Sequence, residues 1–388
     1  MLNCDIREFG AIGDGVTMNT AAIQAAVDAC SAAGGGTVTI AEGCYLSGRF
    51  NMRSGVMLNI EIGAVLLGST NGYDFPEIET DFWKTEFAPR FNKRCFIYAE
   101  GCHDIGICGR GVIDCQGDAY CRPVEGRWLY ERITTISPAR MVFFIGCRNV
   151  TISDIVMKDP AAGWSYWICD CDDVRIRGIR IYANLRHPNS DGIHVNSSRD
   201  VVISDCILSC GDDAIIVRAY TTPLHEPKPC ERVVVTNCVL TSRASGIRLA
   251  WYNDWIMRDC TFSNLVMHDT NNGIAMQLPK IGPTRGSDQG DTPTHIERIM
   301  FNNIVIKHPH GHSILFITAE NPLFDTVRDI TFSNIRAEGK LMPKFVSRPD
   351  AYYKNITIES SEFTVPDGGS PEFRYVDGLR LNNVTFNN

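Results

Sequence analysis

The chain has no run of lysine and arginine, no long apolar stretch and no zinc-finger spacing at its closest cysteines, Cys169 and Cys171. Each absence removes a class of function. Nucleic-acid binding leaves a basic stripe as its electrostatic footprint, and here there is none; the net charge is −8. An acidic substrate stays open, because a local basic pocket can oppose the global sign. No apolar run approaches the ~18 residues that read as a membrane span. The opening MLNCDIREFG lacks a basic region followed by an apolar one. The sequence therefore predicts a soluble, cytoplasmic protein without a membrane partner, or a secreted one if a leader has been removed. Cys169 and Cys171 are too close together for zinc-finger spacing, and no matching histidine pair follows them at zinc-finger distance. What is present is a globular composition: 44% hydrophobic and 21% charged residues. Sixteen cysteines are scattered over 388 residues, and most are expected to be reduced. Cys169, Cys206, Cys238 and Cys260 lie in apolar strand patterns, where cysteine acts as a small hydrophobe.

The strongest fold signal is repetition. A short alternating motif appears at 149–155 (NVTISDI), 173–179 (DVRIRGI), 200–206 (DVVISDC) and 232–238 (RVVVTNC), with further copies to 384. Successive copies start 23 to 39 residues apart, a period that means a solenoid or array. Each copy alternates with period two and is rich in β-branched residues, which is a strand signal. A propeller blade needs four strands in about 40–45 residues, and most steps are shorter. One coil of a parallel β-helix fits, with Ser-Asn, Asn-Asn and Ser-Asp pairs at the bends. Residues 17–30 (TMNTAAIQAAVDAC) read as an amphipathic helix capped by Thr or Asn and ended by Gly34, Gly35 and Gly36. Such a helix can cover the open end of a solenoid. The prediction is an all-β chain: a single-stranded right-handed parallel β-helix with an N-terminal capping helix. It forms one domain over 1–388, with a cap region at 1–45 and coils at 46–388. Residues 73–94 read as a surface excursion.

A second strand follows each motif. These strands read 190–195 (SDGIHV), 212–217 (DDAIIV), 244–249 (ASGIRL), 271–276 (NNGIAM) and 311–316 (GHSILF). Stacked in register, Asp191 lies over Asp213, then Ser245, Asn272 and His312. Neighbouring strands are ~4.8 Å apart, so Asp191, Asp212 and Asp213 converge. Strand parity would bury Asp191 beside Ile193 and Val195, and unpaired buried carboxylates are costly. The acids are therefore expected at the strand starts, where the chain is still turning. Like charges so close favour one protonated acid beside ionised partners, the pair that glycoside hydrolysis needs. Acidic pairs at turns can also merely cap the backbone, as expected of Asp172-Asp173. What distinguishes the trio is two acidic turns in successive coils.

At this point the sequence resembles glycoside hydrolase family 28, the polygalacturonase-like enzymes. The resemblance rests on 187–195 (HPNSDGIHV) and 209–216 (SCGDDAII), which the family writes as Asn-Thr-Asp and Gly-Asp-Asp, and on the opening 9–15 (FGAIGDG) with 19–23 (NTAAI). The resemblance implies Asp212 as general acid, with Asp191 and Asp213 holding and deprotonating water, inversion at the anomeric carbon, Asn189 as a positioning group, and no metal or other cofactor. Inversion places acid and base about 6.5–9.5 Å apart. Two departures stand out. Where the family has Gly-His-Gly this chain reads 243–248 (RASGIR), with Ser245 in place of the histidine. Where the family has Arg-Ile-Lys, which grips a galacturonate carboxylate, Ala275 and Gln277 stand instead.

Other candidates for substrate contact are Arg218, Arg243 and Arg248, whose planar forks match a carboxylate, together with His194 and His312. Two aromatic groups flank the acids: Trp164, Tyr166 and Trp167, and Trp251, Tyr252 and Trp255. One of the two is expected to face sugar. The sequence thus predicts hydrolysis of a pectic or related oligo- or polysaccharide, exo-acting. The alternatives are a hydrolase of a neutral or non-galacturonate glycan and a non-catalytic carbohydrate-binding β-helix. A lyase fits less well, since no calcium cage with an Arg or Lys base is evident.

Overall fold

A computed structural model describes residues 2–89, 92–161, 163–251, 254–278, 292–319 and 323–388. The repeats form the coils of a right-handed parallel β-helix. Val150, Val174, Val201 and Val233 pair in one row, so the spacing read from the sequence is the structural repeat. Up to Val239–Ser242 the coils give two strands each to a 22-stranded sheet, which merge into one long strand per coil in Ile256–His268, Thr294–Lys307, Phe324–Glu338 and Tyr353–Thr364; a third face of the coils forms an 11-stranded sheet. The second sheet includes Arg140–Ile145, Trp164–Cys169, Ile193–Asn196, Ile215–Arg218, Ser245–Leu249 and Asn272–Leu278. Consecutive strands in it pair in parallel. Inward residues of all faces meet in one apolar column, where Phe262, Phe301 and Phe332 stack at 4.8 and 4.9 Å.

The bends follow the predicted chemistry. Asp154, Asp205, Asn237, Asn264, Asn303 and Asn334 all have φ between 51° and 62°, a left-handed conformation that Asn and Asp tolerate better than other side chains. The helix Thr20–Ala32 packs Ile23, Ala26, Val27 and Cys30 into the core. Asn19 stands at its N-cap with no side-chain bond to the helix; its amide instead clamps the Ile12 N–H at 2.7 Å and the Thr17 carbonyl at 2.6 Å. Parallel pairing reaches back before the expected start at residue 46: Leu2–Asp5 pairs with Gly36–Ile40, and Asp14–Met18 with Gly43–Ser47. Gly36 is required there, because a Cβ would lie 1.9 Å from the Leu2 carbonyl oxygen. Within the excursion at 73–94, Ile78, Trp83 and Ala88 form a second apolar cluster with Tyr98, Phe143, Trp164 and Trp167. Among the described residues, no helix is long and apolar enough to cross a membrane.

Candidate functional site

Register in the 11-stranded sheet decides which side chains meet. Tyr166 pairs with Ile193, Ile193 with Ile215, Ile215 with Ile247, Ile247 with Ile274 and Ile274 with Ile314. Two residues upstream, the same register stacks Asp191, Asp213, Ser245, Asn272 and His312, the row expected from the alternation, and adds Trp164 in the coil before Asp191. The strands Ile193–Asn196 and Ile215–Arg218 begin after the acids. Asp191, Asp212 and Asp213 therefore occupy the turns leading into them. Gly211 lets these turns close on each other: a Cβ there would sit 2.3 Å from Ser190 Oγ and 2.6 Å from the His187 carbonyl oxygen.

Asp191 and Asp213 are buried and Asp212 is half-buried. One oxygen of each carboxylate lies within 4.8 Å of the others. This is tighter than the ~6.5–9.5 Å expected for an acid and a base with water between them. The cause is the fold: Asp212 and Asp213 are chain neighbours, and Asp191 is one rung, ~4.8 Å, from Asp213. Oxygens at this spacing could also hold a cation, but Asp213 already has a counter-charge. Arg248 Nη1 donates to Asp213 Oδ2 at 2.5 Å.

Each acid has a different neighbour. His194 Nε2 lies 2.9 Å from Asp191 Oδ2, and the His194 ring stacks on Trp164 with centroids 3.8 Å apart. Asn189 Nδ2 donates to Asp212 Oδ2 at 3.0 Å, and Asn189 Oδ1 accepts from Arg132 Nη2 at 3.0 Å. Ser242 Oγ donates to the Asp212 carbonyl at 2.7 Å. Arg132 belongs to the strand Glu131–Arg132, antiparallel to Cys121–Arg122 in an excursion between coils. Burial pulls its guanidinium below the ordinary arginine range, while Cys121, Asp191 and Asp212 oppose the shift. The Cys210 thiol is pushed well up by burial and then by the charges of Asp191, Asp212 and Asp213.

The remaining candidates divide. Arg248 lies 4.0 Å from the Trp251 ring centroid and donates through Nη2 to Gln277 Oε1 at 3.2 Å. Gln277 thus serves Arg248, and Ala275 is fully buried. Arg218 is turned to Asp254, which accepts from Nε at 3.2 Å and Nη2 at 3.0 Å and has no exposure. Arg243 lies over Trp128 at 4.5 Å and bonds His310 at 3.0 Å. Ser245 is buried in the row above Asp213. His312 Nδ1 lies 2.7 Å from the Met342 carbonyl oxygen.

The expected aromatic faces need correction. Tyr166 is buried in the core, and Trp167 stacks on Phe143 at 4.3 Å beneath the 73–94 excursion, so neither offers a face to sugar. Trp164 presents its ring to His194. Trp251 is half-buried under Arg248, and Trp255 packs on the core. Tyr252 lies outside the described residues. Sequence reasoning missed Arg132, Trp128 and His310. The first two sit at 121–132, where no repeat exists to give a register.

Residues 30–344 match the family model described as Glycosyl hydrolases family 28. A probable polygalacturonase of Arabidopsis thaliana is 25% identical over 327 residues, covering 78% of this chain and 67% of that protein. An exo-poly-alpha-D-galacturonosidase of Dickeya chrysanthemi is 25% identical over 407 aligned positions, covering 93% and 63%. The chain thus spans about two thirds of the length of these relatives. A hyperthermoactive exopolygalacturonase from Thermotoga maritima has the same fold, with a TM-score of 0.79 at 18% identity over 100% of this chain and 92% of that one.

Proposed function

The chain belongs to glycosyl hydrolases family 28 and is a glycoside hydrolase of oligo- or polysaccharide, and from that membership we propose that it removes galacturonosyl units from the ends of pectic chains with inversion. One observation carries the reading: three carboxylates lie within 4.8 Å of one another, each with a different neighbour. Asp212, the most exposed of the three, gives its proton to the leaving oxygen. Asp191, against His194, and Asp213, against Arg248, hold the water and take its proton. Asn189 holds the Asp212 carboxyl in place, and Ser245 and Trp251 line the neighbouring coils. At this spacing the water sits on the flank of the row, beside Asp191 and Asp213. Exo action is supported by the Dickeya relative and by the 121–132 excursion, which stands against Asn189 and Arg243.

A second reading has its own support. Ala275 is buried and Gln277 is tied to Arg248, so among the described residues the place of the Arg-Ile-Lys pair carries no cation of its own; this favours a neutral glycan. Initial rates on oligogalacturonides and on neutral oligosaccharides separate the two. Asp212→Asn should lower kcat by about 10²–10⁴-fold while sugar binding, measured by calorimetry, persists. Unchanged turnover would remove Asp212 from the mechanism. Proton NMR of fresh product reads the anomer, and retention would exclude single displacement. The sixteen free thiols support a reducing compartment, the cytoplasm, which cell fractionation checks.

A further inference from the structure

We infer that Arg243 binds the carboxylate of the uronosyl unit beside the scissile bond, replacing the Arg and Lys that this chain lacks; the inference rests on the pectic reading above. A carboxylate leaving water needs a cation with N–H groups to spare. Among the described residues, Arg132, Arg218, Arg243 and Arg248 are the candidates, and the structure sorts them by what they already hold. Arg218 is bound to Asp254, which has no exposure; pulling it away would leave a buried carboxylate uncompensated, a large cost. Arg248 is occupied by Asp213 and Gln277, with its face on Trp251. Arg132 points at Asn189, and its charge faces Asp191 and Asp212.

Arg243 differs from all three. Among the described residues no carboxylate pairs with it, and its guanidinium bonds the His310 ring, 3.0 Å from Nη1. Its guanidinium lies over Trp128, 4.5 Å from the ring centroid. A stacked guanidinium is held by its face and keeps in-plane N–H groups for an anion. Trp128 and His310 are both exposed, so the cation sits at a surface that a ligand can reach.

Its place in the coil fits the reaction. The Arg243 N–H donates to the Cys210 carbonyl at 3.1 Å, and the preceding residue, Ser242, bonds the Asp212 carbonyl at 2.7 Å. Arg243 is therefore one rung, ~4.8 Å, from the proposed acid. Trp128 and His310 come from segments far away in the chain and hold the side chain from two sides. A neutral sugar would leave this cation without an anion, so Arg243 should make the enzyme prefer the free acid to its methyl ester.

The test compares trigalacturonate with its methyl ester, for the wild type and for Arg243→Gln, after a thermal melt has checked folding. The wild type should prefer the free acid. Arg243→Gln should raise KM for the free acid about 10–100-fold with a smaller change in kcat, and erase the preference; Arg243→Lys should restore part of it. A folded Arg243→Gln enzyme with an unchanged acid-over-ester ratio would overturn the inference and leave the pectic reading standing. A wild type that cleaves only neutral oligosaccharides would overturn both. If Arg243→Gln does not fold, Trp128→Ala, which keeps the arginine but removes its stacking partner, should lower the same ratio severalfold; no change there overturns the assignment.

Discussion

At the residue scale, the site depends on how amide and guanidinium groups are oriented. Asn189 could turn either end of its amide toward Asp212. Arg132 decides, because its N–H occupies Oδ1 and leaves Nδ2 for the carboxylate. A donor and a nearby cation both favour the ionised carboxylate, yet the acid role proposed for Asp212 needs a proton. Removing Arg132 therefore moves the alkaline limb of the kcat/KM–pH profile upward. Arg132→Gln should show that shift, together with a loss of about 10–100-fold in kcat/KM at the optimum from poorer positioning. An unmoved limb would sink the argument. The acids were legible in the sequence because they lie on repeated strands of known register. His194 was legible as a neighbour of Asp191 but not as a buried ring between Asp191 and Trp164, since that depends on an adjacent coil. Arg132 had no signal, because the bond that places it joins residues 57 apart in sequence.

At the element scale, the coils are locked at their bends by side-chain ladders. Asn237 donates to Asp205 at 3.2 Å, Asn264 to Asn237 at 3.3 Å, Asn303 to Asn264 at 2.7 Å and Asn334 to Asn303 at 3.0 Å. Each of these four asparagines is also left-handed, so one residue type meets two demands. Substitution separates them. Asn303→Gly loses the amide bonds but keeps the conformation easily, and should cost about 1 kcal/mol. Asn303→Ala adds the left-handed penalty and should cost about 2–3 kcal/mol. Denaturant unfolding measures both, and an inverted order would refute the ladder account. The Ser-Asn and Asn-Asn pairs announced these bends. The 121–132 hairpin was not legible, because its strands are two residues each and lack a repeat.

At the scale of the whole molecule, charges alternate along one edge of the 22-stranded sheet. Asp172, Arg199, Glu231, Arg258, Glu297 and Arg328 occupy one row of six successive coils. Arg199 bonds Asp172 at 3.0 Å, Arg258 bonds Glu231 at 2.7 Å and Arg328 bonds Glu297 at 2.5 Å. Burial alone would raise the Glu297 carboxyl, but hydrogen bonds from His295, Arg298 and Arg328 hold it down at about 2. Arg298 likewise lowers Asp259, and Arg232 lowers Asp200. The native state thus binds these protons less readily than the unfolded chain. The stability they give is complete above the unfolded carboxylate range, ~4–4.5, and is lost as pH falls toward about 2. Glu297→Gln should melt a few degrees below wild type at neutral pH, and the gap should close on acidification. A gap that persists at the acid end would exclude the ionic cause.

The sequence by itself determined the coil period, the parallel pairing, the bends and the meeting of Asp191, Asp212 and Asp213. All of these follow from alternation with period two and from copies of nearly constant length, which convert spacing along the chain into stacking. The tertiary structure alone decided which arginine each acid holds, that Arg218 is taken by Asp254, and that Arg243 is held between Trp128 and His310. Those contacts join irregular excursions to distant coils, and where no repeat fixes the register, only packing in three dimensions selects the partner.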